Sequence, residues 1–348
     1  MVKILYGICG EGLGHASRCR ILINHLKKNH EIKIVAGGKA YQFLSKEFED
    51  IEEIVSPRFV YEGGDVKLFH SIFQMLFNTI TKTPFSLLKV RRIIKTFKPD
   101  VCITDAEPIS HFAARLGKLK RISIDNPQAL IYRKYKLNIG ELIPWFFLII
   151  ALKIAMLGAD KYIIYDFSDE EVQDTKVMFQ KPLIQEGILK QKPSYKDHIF
   201  VYQTSISTEF IFNIFKKFDE KFIIYGFDSE RVEKNLIFRK FNDKDFYSDI
   251  SNAKAIITNG GFSLLSEALY LKKPIFSLPI KNQFEQVFNA KIIQKIGVGV
   301  HRNELTEDNL KDFIKNLNLY KENLKSYNPG DQKKILQKIE NVILKSVK

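Results

Sequence analysis

The sequence has few of the residues on which disulfide-stapled and zinc-binding proteins depend. Only three of its 348 residues are cysteine, at Cys9, Cys19 and Cys102. This odd number and these spacings fit neither a disulfide framework nor a zinc-binding pattern. We therefore expect a reducing, intracellular setting. Because Lys3 is followed by a short β-like run and a glycine loop, and not by a long apolar segment, we expect no cleavable signal peptide.

Long apolar runs are also missing. The most apolar stretch, Leu142–Leu152, has eleven residues before Lys153. A helix that spans a bilayer needs about 20 such residues, so this run does not predict a transmembrane segment. Two interpretations stay open: a core helix of an α/β domain, or an interfacial helix anchored by the basic residues Arg133, Lys134 and Lys136 before it.

Acidic residues are in short supply relative to basic ones. The chain has 54 Lys and Arg against 40 Asp and Glu, for a net charge of +14, and residues 67–136 contain 14 basic against 4 acidic residues. Such an excess attracts nucleic acid or an anionic membrane. Because no known RNA- or DNA-binding module accompanies it, we expect no nucleic-acid partner. We expect a cytoplasmic protein whose partner is an anionic surface, namely the inner face of the cell membrane.

The chain is long enough for two domains, each with its own core. Hydrophobic residues make up 45% of the sequence, as in globular proteins. Alternating strand and helix patterns in both halves predict the α/β class. We expect a first domain over 1–186, a linker over 187–197 and a second domain over 198–348, whose last helices return to the first domain.

The first strand leads into a glycine-rich loop. Val2–Ile8 reads as a buried parallel strand, and the sequence CGEGLGHASR then opens a helix. Gly12 and Gly14 allow a tight turn and close approach of a ligand to the backbone. A dinucleotide site is disfavoured, because the glycines follow G-x-G-x-G and the second strand ends in Ala-Gly-Gly instead of an acidic residue.

A histidine, His15, follows the last glycine of this loop. A neutral imidazole, with a reference pKa of ~6.5, can accept a proton from a hydroxyl near neutral pH. The alternative is a histidine that only caps or packs the helix start. Arg18 shares a helix face with His15 and is expected to meet an anionic group on the acceptor or phosphate side.

Two later strand ends add polar side chains to the same edge of the predicted sheet. Asp105 follows a buried strand and could orient His15 through its ring N–H. The alternative for Asp105 is an N-cap of the helix that follows Pro108. Asn126 follows the next strand and extends the acceptor side.

The second half contains the most informative stretch, residues 255–299. An apolar strand stops at Asn259-Gly260-Gly261 and passes directly into a helix, whose exposed backbone N–H groups attract phosphate. The hydroxyl of Ser263 could add a donor. Glu267, inside the helix, offers a carboxylate for vicinal sugar hydroxyls. A second helix opens near Glu285-Gln286, again after a strand.

This stretch resembles the donor signature of the GT-B nucleotide-sugar glycosyltransferases, including the UDP-glycosyltransferases and the lipid-linked N-acetylglucosaminyltransferase of peptidoglycan synthesis. The resemblance lies in the spacing of Gly261, Glu267, Pro274, Pro279, Glu285-Gln286, Asn289-Ala290 and Gly297-Val-Gly. It implies that the turn and helix start at Gly260, Gly261, Phe262 and Ser263 hold the diphosphate. Glu267 would then hold the ribose, and Glu285 and Gln286 the donor sugar.

The resemblance extends to other positions. It places a second phosphate-side loop at Thr204 and Ser205 and a backbone contact to the base near Phe241. It also implies that His15 is the catalytic base and that Asp105 orients it. Asp243-Lys-Asp245 looks like a metal-binding D-x-D, but it begins a predicted helix, where acidic residues are favoured by the helix dipole. We therefore expect no metal and no cofactor.

The resemblance implies two Rossmann-like parallel-sheet domains that face each other across a cleft. The expected activity is hexosyl transfer from a nucleotide sugar, with a UDP-sugar as the expected donor, to an acceptor hydroxyl. We expect the reaction to be inverting and metal-independent, and a lipid-linked sugar is the hypothesis for the acceptor. The alternatives are a sugar-nucleotide 2-epimerase of the same fold and a non-catalytic nucleotide-binding protein.

Overall fold

The computed structural model describes residues 1–56, 61–62, 65–66, 81–133, 142–168, 173–203 and 208–347. The chain divides into two compact units. The first unit consists of Met1–Val60, Leu68–Leu183 and Gly330–Lys348, and the second of Tyr61–Lys67 and Ile184–Pro329.

The strands of the described residues follow one another with helices between most of them. They are β1 (Lys3–Ile8), β2 (Glu31–Ala36), β3 (Ile51–Glu53), β4 (Tyr61–Glu62), β5 (Asp65–Val66), β6 (Val101–Asp105), β7 (Lys120–Asp125), β8 (Lys161–Tyr165), β9 (Val177–Gln180), β10 (His198–Tyr202), β11 (Lys221–Tyr225), β12 (Arg231–Glu233), β13 (Leu236–Phe238), β14 (Ala255–Thr258), β15 (Ile275–Ser277) and β16 (Gly299–His301).

The helices of the described residues complete the α/β alternation. They are α1 (Leu13–Leu26), α2 (Gly38–Leu44), α3 (Thr83–Phe97), α4 (Pro108–Leu116), α5 (Ala129–Tyr132), α6 (Leu142–Ala155), α7 (Glu186–Leu189), α8 (Thr208–Phe215), α9 (Asp243–Asn252), α10 (Phe262–Tyr270), α11 (Phe284–Lys295), α12 (Glu307–Lys315), α13 (Leu317–Ser326) and α14 (Gln332–Val347).

The first unit is built on a seven-stranded sheet, as far as its residues are described. Its strand order is β3-β2-β1-β6-β7-β8-β9, and every pair is parallel. The order changes direction between β1 and β6, where Ile8 lies opposite Asp105. Ligands of open α/β sheets bind beyond the carboxyl ends of the strands at such a switch point. The loops after β1 and β6 therefore meet where a ligand would bind.

The second unit repeats this plan. Its described residues form a sheet of order β12-β13-β11-β10-β14-β15-β16, in which only the β12–β13 pair is antiparallel. The switch point lies between β10 and β14, where Tyr202 lies opposite Thr258. Two largely parallel sheets with alternating helices confirm the α/β class predicted from the sequence.

Apolar strand sequences explain why these sheets form. All residues of β6 and β14 are buried, which is typical of parallel strands covered by helices on both faces. In the first unit, the core joins Leu5, Val35 and Cys102 to Ala113 and Ala114 of α4. The core of the second unit is rich in phenylalanine, and the rings of Phe215 and Phe222 stack with centroids 4.3 Å apart.

The last helix, α14, belongs to the first unit. The carboxylate of Glu340 lies 2.7 Å from Nε2 of His25 and 3.0 Å from Nε2 of His30, both near the end of α1. Because Nδ1 of His30 accepts a hydrogen bond from the backbone N–H of Val2 at 3.2 Å, its Nε2 carries the proton donated to Glu340. This contact anchors α14 beside α1.

The apolar run predicted near Leu142–Leu152 forms α6, which is longer than the run. Ile149 is buried, whereas Leu142, Phe146, Ile150 and Ile154 are exposed. These four residues recur every fourth position and therefore form one exposed stripe on the helix. The interpretation of this run as a core helix is therefore correct for only one face of α6. Within the described residues, no helix has both the length and the apolar character needed to cross a membrane.

The Asp243-Lys-Asp245 sequence opens α9, as predicted. The side chain of Asn242 caps this helix by accepting a hydrogen bond from the backbone N–H of Asp245 at 2.9 Å. Both aspartates lie in the first turn, where the helix dipole favours negative charge.

Candidate active site

A glycine turn after β1 positions the start of α1. The backbone N–H of Gly10 donates to Oγ of Ser56 at 2.7 Å, and a Cβ on Gly10 would lie 2.7 Å from the carbonyl oxygen of Gly37. Gly12 is the N-cap of α1, with φ of 73° and no side-chain cap. Gly14 follows in the first turn. This packing brings His15, also in the first turn, to the carboxyl end of β6.

His15, Arg18 and Asp105 form one buried cluster. Nδ1 of His15 lies 2.7 Å from Oδ1 of Asp105, so the predicted contact between these residues is present. Nε of Arg18 donates to Oδ2 of Asp105 at 2.5 Å, and its Nη2 donates to Oδ1. Arg18 is therefore turned inwards, and its assignment to an anionic group of an acceptor stays a prediction.

The charge of this cluster is set by Asp105. Burial opposes ionisation of its carboxyl, but the positive charge of Arg18 and the contacts with His15 hold the pKa of Asp105 well below its usual range. Asp125, at the end of β7, behaves differently: burial, and then the charge of Asp105, raises its pKa to about 6. At neutral pH, the carboxyl of Asp105 is thus more completely ionised than that of Asp125.

Glu107, not Asp105, caps α4, so the alternative reading of Asp105 as the N-cap is wrong. The Glu107 carboxylate accepts hydrogen bonds from the backbone N–H groups of Ile109 at 2.8 Å and Ser110 at 2.6 Å. Pro108 occupies the first helical position, which makes the residue before it the cap. Asp105 therefore remains available to His15.

Asn126 lies at the same sheet edge but is buried. Its Nδ2 donates to the backbone oxygen of Tyr165 at 3.0 Å. Within the described residues, its Oδ1 has no hydrogen-bond partner. The structure thus places Asn126 beside β8, and its role towards an acceptor stays a prediction.

In the second unit, the turn after β14 brings the start of α10 to the switch point. Gly260 adopts φ of +90°, and a Cβ there would lie 2.8 Å from Oγ of Ser277 and 2.9 Å from the backbone oxygen of Gln286. Gly261 is the N-cap, and a Cβ on it would meet no atom of the described residues within 4 Å. The helix begins directly after it, at Phe262 and Ser263. Such a helix start is suited to an anion.

Glu267 lies in the middle of α10 and is buried. Its Oε1 accepts a hydrogen bond from Nε2 of Gln185 at 2.9 Å, and Oε1 of Gln185 accepts one from the hydroxyl of Tyr247 at 3.1 Å. Burial raises the pKa of the Glu267 carboxyl to about 7. Hydrogen bonds from the hydroxyls of a ligand would therefore strongly stabilise the charged form of this carboxylate.

The start of α11 also approaches the Gly260 turn. Oε1 of Gln286 accepts a hydrogen bond from the backbone N–H of Ile280 at 2.9 Å, and Glu285 lies in the first turn. Nδ2 of Asn289 donates to the backbone oxygen of Gly260 at 3.2 Å. The two helix starts are thus joined around one glycine.

Two residues at this site are not indicated by the sequence reasoning. Gln203, at the end of β10, accepts a hydrogen bond from Nδ2 of Asn259, and Gln185 contacts Glu267. The position of Gln203 directly after a central strand is the signal that could indicate it. Gln185 has no such signal, because its partner is 82 positions away.

The remaining predicted positions are placed as follows. Thr204 and Ser205 lie outside the described residues. Phe241 is 60% exposed, with its ring centroid 5.0 Å from that of Phe246. In the described part of the chain, no three His, Cys, Asp or Glu side chains are grouped to hold a metal ion.

Comparison with known proteins gives relatives along nearly the whole chain. The model of glycosyl transferase family 1 matches residues 2–318. An uncharacterized glycosyltransferase of Methanosarcina mazei is 29% identical over 331 residues, which cover 86% of this chain and 85% of that protein. The UDP-N-acetylglucosamine--N-acetylmuramyl-(pentapeptide) pyrophosphoryl-undecaprenol N-acetylglucosamine transferase of Thermosipho melanesiensis is 25% identical over 345 residues, covering 90% and 91%.

Solved structures show the same fold. Arabidopsis thaliana UGT89C1, crystallised with UDP, superimposes with a TM-score of 0.68 at 14% identity, and the match covers 97% of this chain and 98% of that one. At this identity the likeness shows the fold alone. That fold is GT-B, as the sequence predicts.

Proposed function

Because this chain belongs to glycosyl transferase family 1, we propose that it moves a hexosyl group from a UDP-sugar to an acceptor hydroxyl. The observation that carries this proposal is the contact of 2.7 Å between Nδ1 of His15 and Oδ1 of Asp105. Within the described residues, no hydrogen bond reaches Nε2 of His15. A ring held by one nitrogen leaves the other to take a proton from a substrate.

The donor binds through the second unit in this proposal. The diphosphate meets the start of α10 beyond Gly261, where the helix dipole and backbone N–H groups favour negative charge. Glu267 accepts hydrogen bonds from the ribose, and Glu285 and Gln286 hold the sugar. The base lies near Phe241, and the names of relatives that use or bind UDP support uridine as the base.

Transfer is a single displacement. The acceptor oxygen attacks the anomeric carbon while Nε2 of His15 takes the hydroxyl proton. The bond from the anomeric carbon to the phosphate oxygen breaks, and the nucleoside diphosphate leaves with the electron pair. The new bond forms on the face opposite the leaving group, so the anomeric configuration inverts. The start of α10 stabilises the charge of the leaving diphosphate, which supports a metal-independent reaction.

Donor turnover separates this activity from other functions. We expect release of UDP only when donor and acceptor are both present, with EDTA having no effect and NMR showing an inverted anomeric centre in the product. Epimerised donor formed without any acceptor would indicate a sugar-nucleotide 2-epimerase. Nucleotide binding without turnover for any acceptor would indicate a binding protein. Retained configuration, or activity lost in EDTA and restored by Mn²⁺, would contradict the mechanism.

Glu267 makes nucleotide binding depend on pH. Its pKa is about 7 in the free protein, and only the charged form accepts strong hydrogen bonds from the ribose, so affinity for UDP should rise from pH 6 to pH 8. Glu267→Gln should weaken UDP binding by about 1–3 kcal/mol and abolish this pH dependence. Calorimetric titration measures both effects.

The exposed Glu322 of α13 provides the matched control, and Glu322→Gln should leave UDP affinity unchanged. Stability gives an independent check. Since the native state keeps the Glu267 proton that the unfolded chain has lost, the contribution of this group to the free energy of unfolding falls as pH rises towards 7. Glu267→Gln should therefore be more stable than the parent protein at pH 8. Unchanged stability and affinity would rule out the assigned role.

We further propose that the acceptor is lipid-linked and that the first unit binds an anionic membrane surface. Exposed apolar side chains lie on three helices, of which α3 contacts α4 and α4 contacts α6. They are Phe85, Leu88, Phe112, Leu116, Leu142, Phe146, Ile150 and Ile154. Arg91, Arg92 and Lys95 of α3 are exposed as well. The pyrophosphoryl-undecaprenol in the name of the Thermosipho melanesiensis relative supports a lipid-linked acceptor.

Vesicle sedimentation checks this surface. Phe146→Ser combined with Ile154→Ser removes two side chains that are 55% and 69% exposed, and we expect much weaker sedimentation with anionic vesicles. Leu319→Ser, at a 57% exposed position in the second unit, is the control. Binding should also fall as salt rises, because charges are screened within ~10 Å at 0.1 M. Equal binding to neutral and anionic vesicles would contradict the electrostatic part.

A further inference from the structure

Arg18 contacts both members of the His15–Asp105 pair. Its side chain is 5% exposed, and it donates from Nε to Oδ2 and from Nη2 to Oδ1 of the same carboxylate. Nη2 also lies 2.6 Å from Nδ1 of His15. The guanidinium of Arg18 therefore holds both oxygens of Asp105, and it is a group that donates hydrogen bonds and accepts none.

This arrangement limits the ways in which the carboxylate and the ring can move. Two parallel hydrogen bonds from a planar guanidinium fix the plane of a carboxylate, which a single bond from histidine does not. The carboxylate then presents Oδ1 to Nδ1 of His15. When Nδ1 carries the hydrogen that points to Oδ1, the lone pair is on Nε2, where an acceptor hydroxyl is deprotonated.

The charge of Arg18 acts on the same ring. A second positive charge on His15 would lie 2.6 Å from Nη2, where the repulsion is strong in a buried setting. With Arg18 present, Asp105 and Arg18 together carry no net charge. Without it, the negative charge of the Asp105 carboxylate would stand uncompensated beside His15.

The other titratable groups around the cluster do not replace Arg18. Tyr6 of β1, Tyr165 of β8 and Cys19 of α1 have pKa values raised well above the usual range, first by burial, so they stay neutral. Asp125 of β7 and Glu11 of the glycine loop are acidic. Among the described residues, no other Lys or Arg forms an ion pair with Asp105.

We propose that Arg18 is a positioning residue of the transfer reaction, which fixes the Asp105 carboxylate against Nδ1 of His15 and offsets the charge of that carboxylate beside the ring. This inference rests on the proposed function, because only a base at His15 needs such control. It differs from the role expected from the sequence, in which Arg18 meets an anion of the acceptor. No contact with substrate is required of Arg18.

The pH profile of kcat/KM tests the inference. Arg18→Met removes the charge but keeps an apolar chain, so the acid limb should move up, because the charge of Asp105 is then uncompensated beside the base. Activity at pH 7 should fall and recover partly at pH 9. Arg18→Lys keeps the charge, so its acid limb should stay near that of the parent protein. Arg20→Met, which alters an arginine on the same helix that pairs with Glu47, is the control.

A profile for Arg18→Met that is lowered equally at every pH would overturn the proposal, because a merely structural arginine predicts that result. If Arg18→Met does not fold, the parent protein itself decides. ¹⁵N NMR of its histidine side chains, with the His15 signals assigned from His15→Gln, should show a proton on Nδ1, the nitrogen that faces Asp105. A proton on Nε2, with Nδ1 accepting from Arg18, would overturn the proposal. Because NMR needs no substrate, this result is independent of whether the transferase activity is found.

Discussion

Replacing His15 with alanine should lower kcat by roughly 10²–10⁴-fold, the usual loss when a general base is removed. Affinity for UDP should stay nearly intact, because the residues proposed to bind it are all in the second unit. The substitution should remove stabilisation of the transition state, in which the acceptor proton is being transferred, and should not weaken donor binding. Residual activity would come from the charge stabilisation at the start of α10.

His25→Gln is the matched control for His15→Ala. His25 lies on the same helix, but its Nε2 contacts Glu340 at 2.7 Å and not the cluster around Asp105. Steady-state UDP release gives kcat, and calorimetry gives the UDP affinity of each variant. Unchanged turnover in His15→Ala would show that His15 only caps or packs the helix start and is not the base.

Gly260→Ala should remove UDP binding and lower the free energy of unfolding by about 1–3 kcal/mol, the usual cost of a strained backbone position. The glycine has φ of +90°, and an added Cβ would lie 2.9 Å from the backbone oxygen of Gln286. This oxygen belongs to α11 and cannot move without shifting the start of that helix. Relief of the clash would displace the turn that positions α10.

Gly261→Ala separates the binding role of this turn from its structural one. Gly261 has φ of −63°, which alanine adopts readily, and no atom of the part of the chain that the structure describes lies within 4 Å of an added Cβ. Stability should therefore change by less than about 0.5 kcal/mol. UDP affinity should still fall at least about tenfold, because the Cβ occupies the space through which the diphosphate approaches. Denaturant unfolding and calorimetry measure the two quantities. Normal UDP binding by Gly261→Ala would place the phosphates elsewhere.

Much of the fold and part of the site follow from local sequence features. A β-branched apolar run, a pair of glycines and a helical pattern are contiguous at 255–270, so β14, the turn and α10 could be predicted together. The same holds for β1, the glycine loop and His15. Asp105 could be placed beside His15 because both follow central strands of a parallel sheet, whose carboxyl ends share one edge.

Other features depend on contacts between distant parts of the chain. Helical spacing places Arg18 on the face of His15, but only the tertiary structure decides that the guanidinium turns inwards onto Asp105, 87 positions away. Local rules offered Asp105 either as the partner of His15 or as the cap of the helix that follows Pro108. The structure places Asp105 opposite Ile8 at the end of β6, beside His15, and Glu107 caps the helix instead.

The sequence by itself thus determined the two α/β units, the glycine turns and the helix starts, because apolar periodicity and glycine conformation act over a few neighbouring residues. The tertiary structure alone decided which buried polar groups meet, as with Gln185 at Glu267 and Arg18 at Asp105. It also decided which face of α6 stays exposed. The physical reason is that a buried charge or amide must have a hydrogen-bonding partner, and that packing brings this partner from a distant part of the chain. The spacing of residues along the sequence does not indicate which residue it is.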